Sequence, residues 1–233
     1  MDANILYICI RMNLSLIFVL IRKELLLEWR QKYAINGIIL YLASTVFVCY
    51  LSFNLKTGVV QPVTWNALFW IIILFTAVNS ISKSFIQESQ GRLLYIYTLA
   101  RAEHIILAKM IYYSLLMILL SVLGFLLYSL VMGNPIQDFP VFMISAVLGS
   151  MGLASALTLL SGIASKAQNS SSLVAILSFP VVIPLLLVLI KCSKNAIDGI
   201  DRSLYYDDLG ILVGINAIII ALSYMLFPYL WRS

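Results

Sequence analysis

The chain has 233 residues, 62% of them hydrophobic and 11% charged, with a mean hydropathy of +1.01. That is more apolar surface than a water-soluble domain of this size can bury, which excludes a soluble enzyme or carrier. The net charge of +5 comes without a basic stripe interleaved with aromatics, so it reads as membrane orientation and argues against nucleic acid as a partner.

Membrane spans can be sought as gaps between charges, because an ionised side chain at the bilayer centre costs roughly 2.5–3.5 kcal/mol. Six such gaps occur: Tyr33–Leu55, Thr57–Ser82, Met110–Gln137, Phe139–Ser165, Ala167–Ile190 and Leu209–Trp231. Each exceeds the roughly 20 residues a helix needs to cross the hydrocarbon. Their apolar residues run all the way round, unlike an amphipathic soluble helix, and do not alternate as barrel strands would. The expected fold class is an all-α membrane protein: one transmembrane domain over residues 1–233, with six transmembrane helices preceded by an N-terminal amphipathic interfacial helix.

The interfacial helix is expected at about 14–33. Leu25, Leu26, Trp29 and Tyr33 share one face, and Lys23, Glu24, Glu28, Arg30 and Gln31 the other. Arg22, Glu24, Trp29 and Arg30 are its candidate interface residues, Trp29 because an indole suits the boundary between lipid and water. Ahead of it, Ile5–Ile10 is too short for a signal-peptide core, and Met12 offers an alternative start.

Spans are then expected at about 36–55, 66–83, 106–131, 140–164, 172–190 and 209–230. The connection Lys83–Lys109 between the second and third is polar at its ends and apolar over Leu93–Leu99. It suits either a short helix tucked under the bundle that offers its ends to a partner, or a solvated loop with one membrane-dipping segment. In the fourth span Ala146, Ser150, Ala154, Thr158 and Gly162 recur at every fourth position, a stripe that lets helix backbones approach closely. Its counterpart is either another helix of this chain or a second copy. The fifth span carries Pro180 and Pro184, the sixth Pro228, and a charged segment, Cys192–Asp208, joins the two.

Basic residues near span ends favour the cytoplasm, and with six spans both termini lie on one side. Placing that side in the cytoplasm leaves only Lys56, Lys191, Lys194 and Arg202 outside, and eleven of the fifteen basic residues inside.

Catalytic patterns are sparse. There is no Gly-Lys pair for a phosphate-binding loop, so ATP-driven work is expected on a separate chain. Cys9, Cys49 and Cys192 are far apart and form no metal or redox pair, and His104 is the only histidine, so no metal site and no catalytic residue is expected.

The order of parts resembles the ABC-2-type permeases, and more narrowly the haem exporter protein B (CcmB) family of cytochrome c maturation. The resemblance rests on Arg22, Glu24, Leu25, Trp29, Arg30, Gln31 and Asn36, then Glu88, Gly91 and Leu93, then Leu107, Ala108 and Lys109. It continues through Gly149, Ser155, Ala156, Leu157 and Thr158, and through Pro180 and Pro184. This implies an ABC-2 (type V-like) permease fold in the bacterial inner membrane, with Glu88, Gly91, Arg92 and Arg101 in the ATPase-coupling loop. It also implies a cytoplasmic ABC ATPase, a haem-handling membrane protein and a periplasmic haem chaperone as partners, with a homodimer as a further assembly. Haem is implied as cargo rather than cofactor, and ATP is bound by the partner. The alternatives are export of another substrate by the same fold and a static assembly scaffold.

Overall fold

The computed structural model describes residues 16–28, 32–54, 60–82, 85, 101–165, 170–199 and 205–232. Helix α1 covers residues 16–28. The long helices follow: α2 Lys32–Asn54, α3 Pro62–Ile81, α4 Ala102–Met132, α5 Phe139–Ala164, α6 Ser170–Asp198 and α7 Tyr205–Arg232. Among the described residues there are six helices long and apolar enough to cross a membrane and no strand. This all-helical architecture fits the demand of lipid that every backbone polar group be satisfied within its own segment.

The helix bounds differ from the charge gaps where local chemistry sets them. Pro62 opens α3 at its first position after an extended Gln61, four residues before the expected start, because proline's fixed φ is already helical there. Helix α4 begins at Ala102 with Arg101 as its N-cap, so the third span starts inside what the sequence assigned to a loop. Helix α6 does not stop at Lys191 but runs to Asp198. The Lys191 ammonium reaches out 2.7 Å from Asp208, so its charge does not end the helix. The charged segment at 192–208 is therefore helical over its first part.

Helix α5 is central and packs against α3, α4, α6 and α7, whereas α2 packs chiefly on α3 and α4 and leaves Leu40, Phe47 and Val48 exposed for lipid. Lipid gives no hydrophobic drive for helices to associate, so close approach supplies the adhesion. Gly149 shows how close: a Cβ there would lie 2.6 Å from both Leu189 of α6 and Trp70 of α3. Three hydroxyls of α5 are satisfied within the helix, Ser145, Ser150 and Thr158 donating to the carbonyls of Val141, Ala146 and Ala154 at 2.6–2.9 Å.

The bundle has two polar ends. At the distal end, where α3 begins and α4 stops, Trp65, Phe69, Phe125, Tyr128 and Phe142 form one aromatic cluster, with Trp65 and Tyr128 centroids 4.8 Å apart. Gly133, at φ +79, ends α4 in a conformation that side chains resist, and its carbonyl accepts the Trp65 indole N–H at 3.0 Å. The Trp70 indole donates to Ser193 at 2.7 Å, the Ser193 hydroxyl to Asn66 Oδ1 at 2.8 Å, and the Asn66 amide to the Ile190 carbonyl at 2.9 Å. That network clamps α3 to the last turns of α6.

Candidate functional site

At the opposite end, the junction end, α1 meets the first turns of α4, whose Lys109 in turn lies against Phe85, just past α3, and Phe85 packs on Phe227 of α7. Glu24 and Glu28 are spaced four residues apart, so one helical face presents both carboxylates to the bundle. The other face of α1 carries Phe18, Val19, Leu25 and Leu26, all at least half exposed, as suits a helix lying against lipid.

Lys109 answers the first carboxylate. It lies two turns into α4, is 1% exposed, and holds its ammonium 3.3 Å from Glu24 Oε1. Lys23 bonds the same carboxylate oxygen at 3.1 Å. Burying an ammonium in an apolar bundle costs several kcal/mol unless it is paired. Here the pairing is reinforced by the Phe85 ring, whose centroid lies 4.8 Å from Lys109 Nζ. One turn along, Tyr112 donates its hydroxyl to Glu28 Oε2 at 2.7 Å. Burial pushes the Glu28 carboxyl above its ordinary range; the Tyr112 hydrogen bond pulls it down, nearby Glu24 pushes it up and Lys109 pulls it down.

Phe85 extends the junction to two more helices. Its ring packs on Phe227 of α7, centroids 5.4 Å apart, with Ile106, Met110 and Ala156 in the same apolar cluster. Gly162 of α5 leaves the space for this pair, since a Cβ there would lie 2.8 Å from the Phe227 ring. The Ser161 hydroxyl donates to the Ser82 carbonyl at 3.1 Å, tying the end of α3 to α5. Tyr224 reaches Glu103 at 3.3 Å across the surface between α7 and α4.

The sequence-derived residues are placed unevenly. Glu24 lies in the junction, Arg22 points outward, and Arg101 caps α4 with an exposed side chain. Glu88, Gly91 and Arg92 in the connection, and Trp29 and Arg30 after α1, lie outside the described residues. Ala146, Ser150, Ala154, Thr158 and Gly162 are all buried within the chain's own bundle. Among the described residues no three His, Cys, Asp or Glu side chains gather as a metal site.

Sequence reasoning missed Lys109, Tyr112, Phe85 and Phe227 as a unit. It took Lys109 as a cytoplasmic charge at the entry to the third span and as a residue of the family resemblance, whereas the residue is buried two turns into the helix. The available signal was a lone lysine followed by a long uncharged stretch, opposite acids at i and i+4 in an amphipathic segment.

A family model described as CcmB protein matches residues 15–230. No curated protein matches the chain significantly. The match takes in α1, the junction and the six apolar helices, nearly the whole chain, and the chain therefore belongs to the CcmB family, multi-pass membrane permease components of haem-exporter ABC systems in cytochrome c biogenesis.

Proposed function

We propose that this chain is the permease subunit through which a separate cytoplasmic ABC ATPase drives haem delivery, or release of a haem-loaded chaperone, outside the bacterial inner membrane. The carrying observation is the contact of the buried Lys109 with both Glu24 of α1 and Phe85 at the head of the connection to α4. Force applied by the ATPase to the connection, at Glu88, Gly91, Arg92 and Arg101, reaches Phe85. Phe85 moves only with Lys109 above it and Phe227 beside it, so α1, α4 and α7 share the displacement. A shift of this kind requires contacts that differ between the two states, and a packed ionic junction supplies discrete ones.

The bias of basic residues supports a cytoplasmic junction end, with both termini on that side. The distal end then faces the haem-handling membrane protein and the periplasmic chaperone. Haem is the cargo in this reading, and hydrolysis belongs to the ATPase.

Two arms test it. Charge reversal as Glu88→Arg with Arg92→Glu is expected to reduce both co-purification with the ATPase and cytochrome c yield; unchanged binding and yield would remove the coupling role from this connection. A hydrolysis-dead ATPase that still assembles is expected to abolish yield, and persistent yield would make the chain a static scaffold. Haem quantification on the purified complex separates haem from another cargo.

A further inference from the structure

Asn216 sits near the middle of α7, 6% exposed, deep in the region that crosses the membrane. Its amide nitrogen donates to the Leu212 carbonyl of its own helix at 2.9 Å and to the Leu148 carbonyl of α5 at 3.2 Å. Its Oδ1 is buried without a hydrogen-bond partner. Turning the amide over would set its oxygen against two carbonyl oxygens, so the orientation is fixed by its neighbours. An acceptor that finds no protein donor in a lipid-embedded interior is a standing cost.

The bare oxygen lies over Gly152, where a Cβ would be 3.2 Å away. The same Cβ would meet the Leu185 methyls of α6 at 3.0 and 3.1 Å, so the spot is tightly enclosed. A donor stands nearby in sequence: Ser155, buried on α5, among the described residues bonds only back to the Gly152 carbonyl at 3.1 Å. Such a back-bond adds little, because a helical carbonyl already accepts its own N–H. Ser155 follows Gly152 by three residues, about 4.5 Å along the axis toward the junction end. Farther along α7 in the same direction, Phe227 rests on Phe85, whose ring lies under Lys109.

We propose that Asn216 is a positioning residue of a two-state contact between α5 and α7. In the state described here the amide holds the Leu148 carbonyl. In the other state α7 has advanced along α5 toward the junction and Oδ1 accepts the Ser155 hydroxyl. The bare acceptor raises the free energy of the first state and so lowers the gap to the second, the condition a helix-sliding switch requires. This rests on the chain being a moving permease, not on what it carries.

The test uses the full chain with its co-purified ATPase in nanodiscs, in a cysteine-free background. Spin labels at Ile144→Cys of α5 and Leu222→Cys of α7, both lipid-exposed positions, report the relative motion of the two helices. ATP is expected to shift the label distance in the otherwise wild-type chain. Asn216→Leu, close in volume and without polar groups, is expected to keep its melting temperature within about 3 °C, abolish the shift and cut cytochrome c yield at least tenfold. Ser155→Ala is expected to weaken the shift and yield with an unchanged melting temperature, and the double variant to be no worse than Asn216→Leu alone. Labels that do not move, or that move equally in all variants, overturn the switch. So does a loss in Asn216→Leu that merely tracks a lowered melting temperature. If Asn216→Leu does not assemble, Ser155→Ala decides: wild-type shift and yield reject the proposal. A label shift that survives while cytochrome c yield proves independent of this chain would fault the haem reading and leave the switch standing.

Discussion

The Lys109 ammonium lies 4.8 Å from the centre of the Phe85 ring while bonded at 3.3 Å to Glu24, so one buried cation joins three segments distant in sequence. Glu24 and Phe85 differ in kind as partners. The carboxylate balances the charge, whereas the ring ties that charge to the connection between α3 and α4. Changes at either partner should therefore separate stability from coupling.

Glu24→Gln takes from the buried Lys109 ammonium the carboxylate charge at 3.3 Å and is expected to cost about 2–4 kcal/mol. Lys109→Met keeps much of the buried stem and is expected to cost less, since Glu24 retains Lys23 at 3.1 Å. The double variant should be more stable than Glu24→Gln alone. Thermal melts of the purified chain in one detergent, arranged as a double-mutant cycle, check the order.

Glu28 carries the pH dependence. Its carboxyl is raised above 4.5 chiefly by burial, so the folded state binds this proton more tightly than the unfolded state. Stability from this group is greatest below the unfolded value and falls as pH rises through the window up to the raised folded value. Glu28→Gln is expected to flatten that slope and raise the neutral-pH melting temperature, while its amide oxygen still accepts from Tyr112. Melting temperatures of both proteins across pH 4–8 measure the difference; parallel curves would reject the assignment.

Glycine-to-alanine changes should split by contact. Gly149→Ala forces a methyl to 2.6 Å from Leu189 and Trp70 and is expected to destabilise by about 2–4 kcal/mol. Gly37→Ala and Gly214→Ala meet nothing within 4 Å and are expected to be neutral or to stabilise by up to about 1 kcal/mol through helix propensity. Melts of the three single variants suffice.

Ser193→Ala at the distal end strips a partner from both the Trp70 indole and Asn66 Oδ1. A loss of about 1–3 kcal/mol is expected, because buried polar groups stay behind unpaired. Trp70→Phe made together with Ser193→Ala should recover part of it, and Trp fluorescence melts of the single and double variants report the recovery.

Much of the fold was legible because lipid leaves few choices: an uncharged apolar run of 20 residues has to be a helix, and six runs appeared. The ends were less legible. Lys191 looked like a boundary, but a flexible lysine side chain can carry its charge to Asp208 while α6 continues to Asp198. The site was legible only in fragments. Glu24 was singled out, but the lone lysine and the paired acids did not by themselves show that Glu24 meets Lys109 or that the Phe85 ring lies against that ammonium.

The sequence by itself determined the solvent, the number of crossings, the amphipathic segment before them and the family. These depend on composition and on periods of a few residues, which a chain displays locally. Only the tertiary structure decided that Glu24 and Glu28 face inward to Lys109 and Tyr112, that α5 is the central helix, and that Asn216 keeps a bare oxygen over Gly152. Those depend on which faces of distant helices meet. In lipid, close fit and paired polar groups decide that, because apolar residues gain nothing by turning away from the solvent.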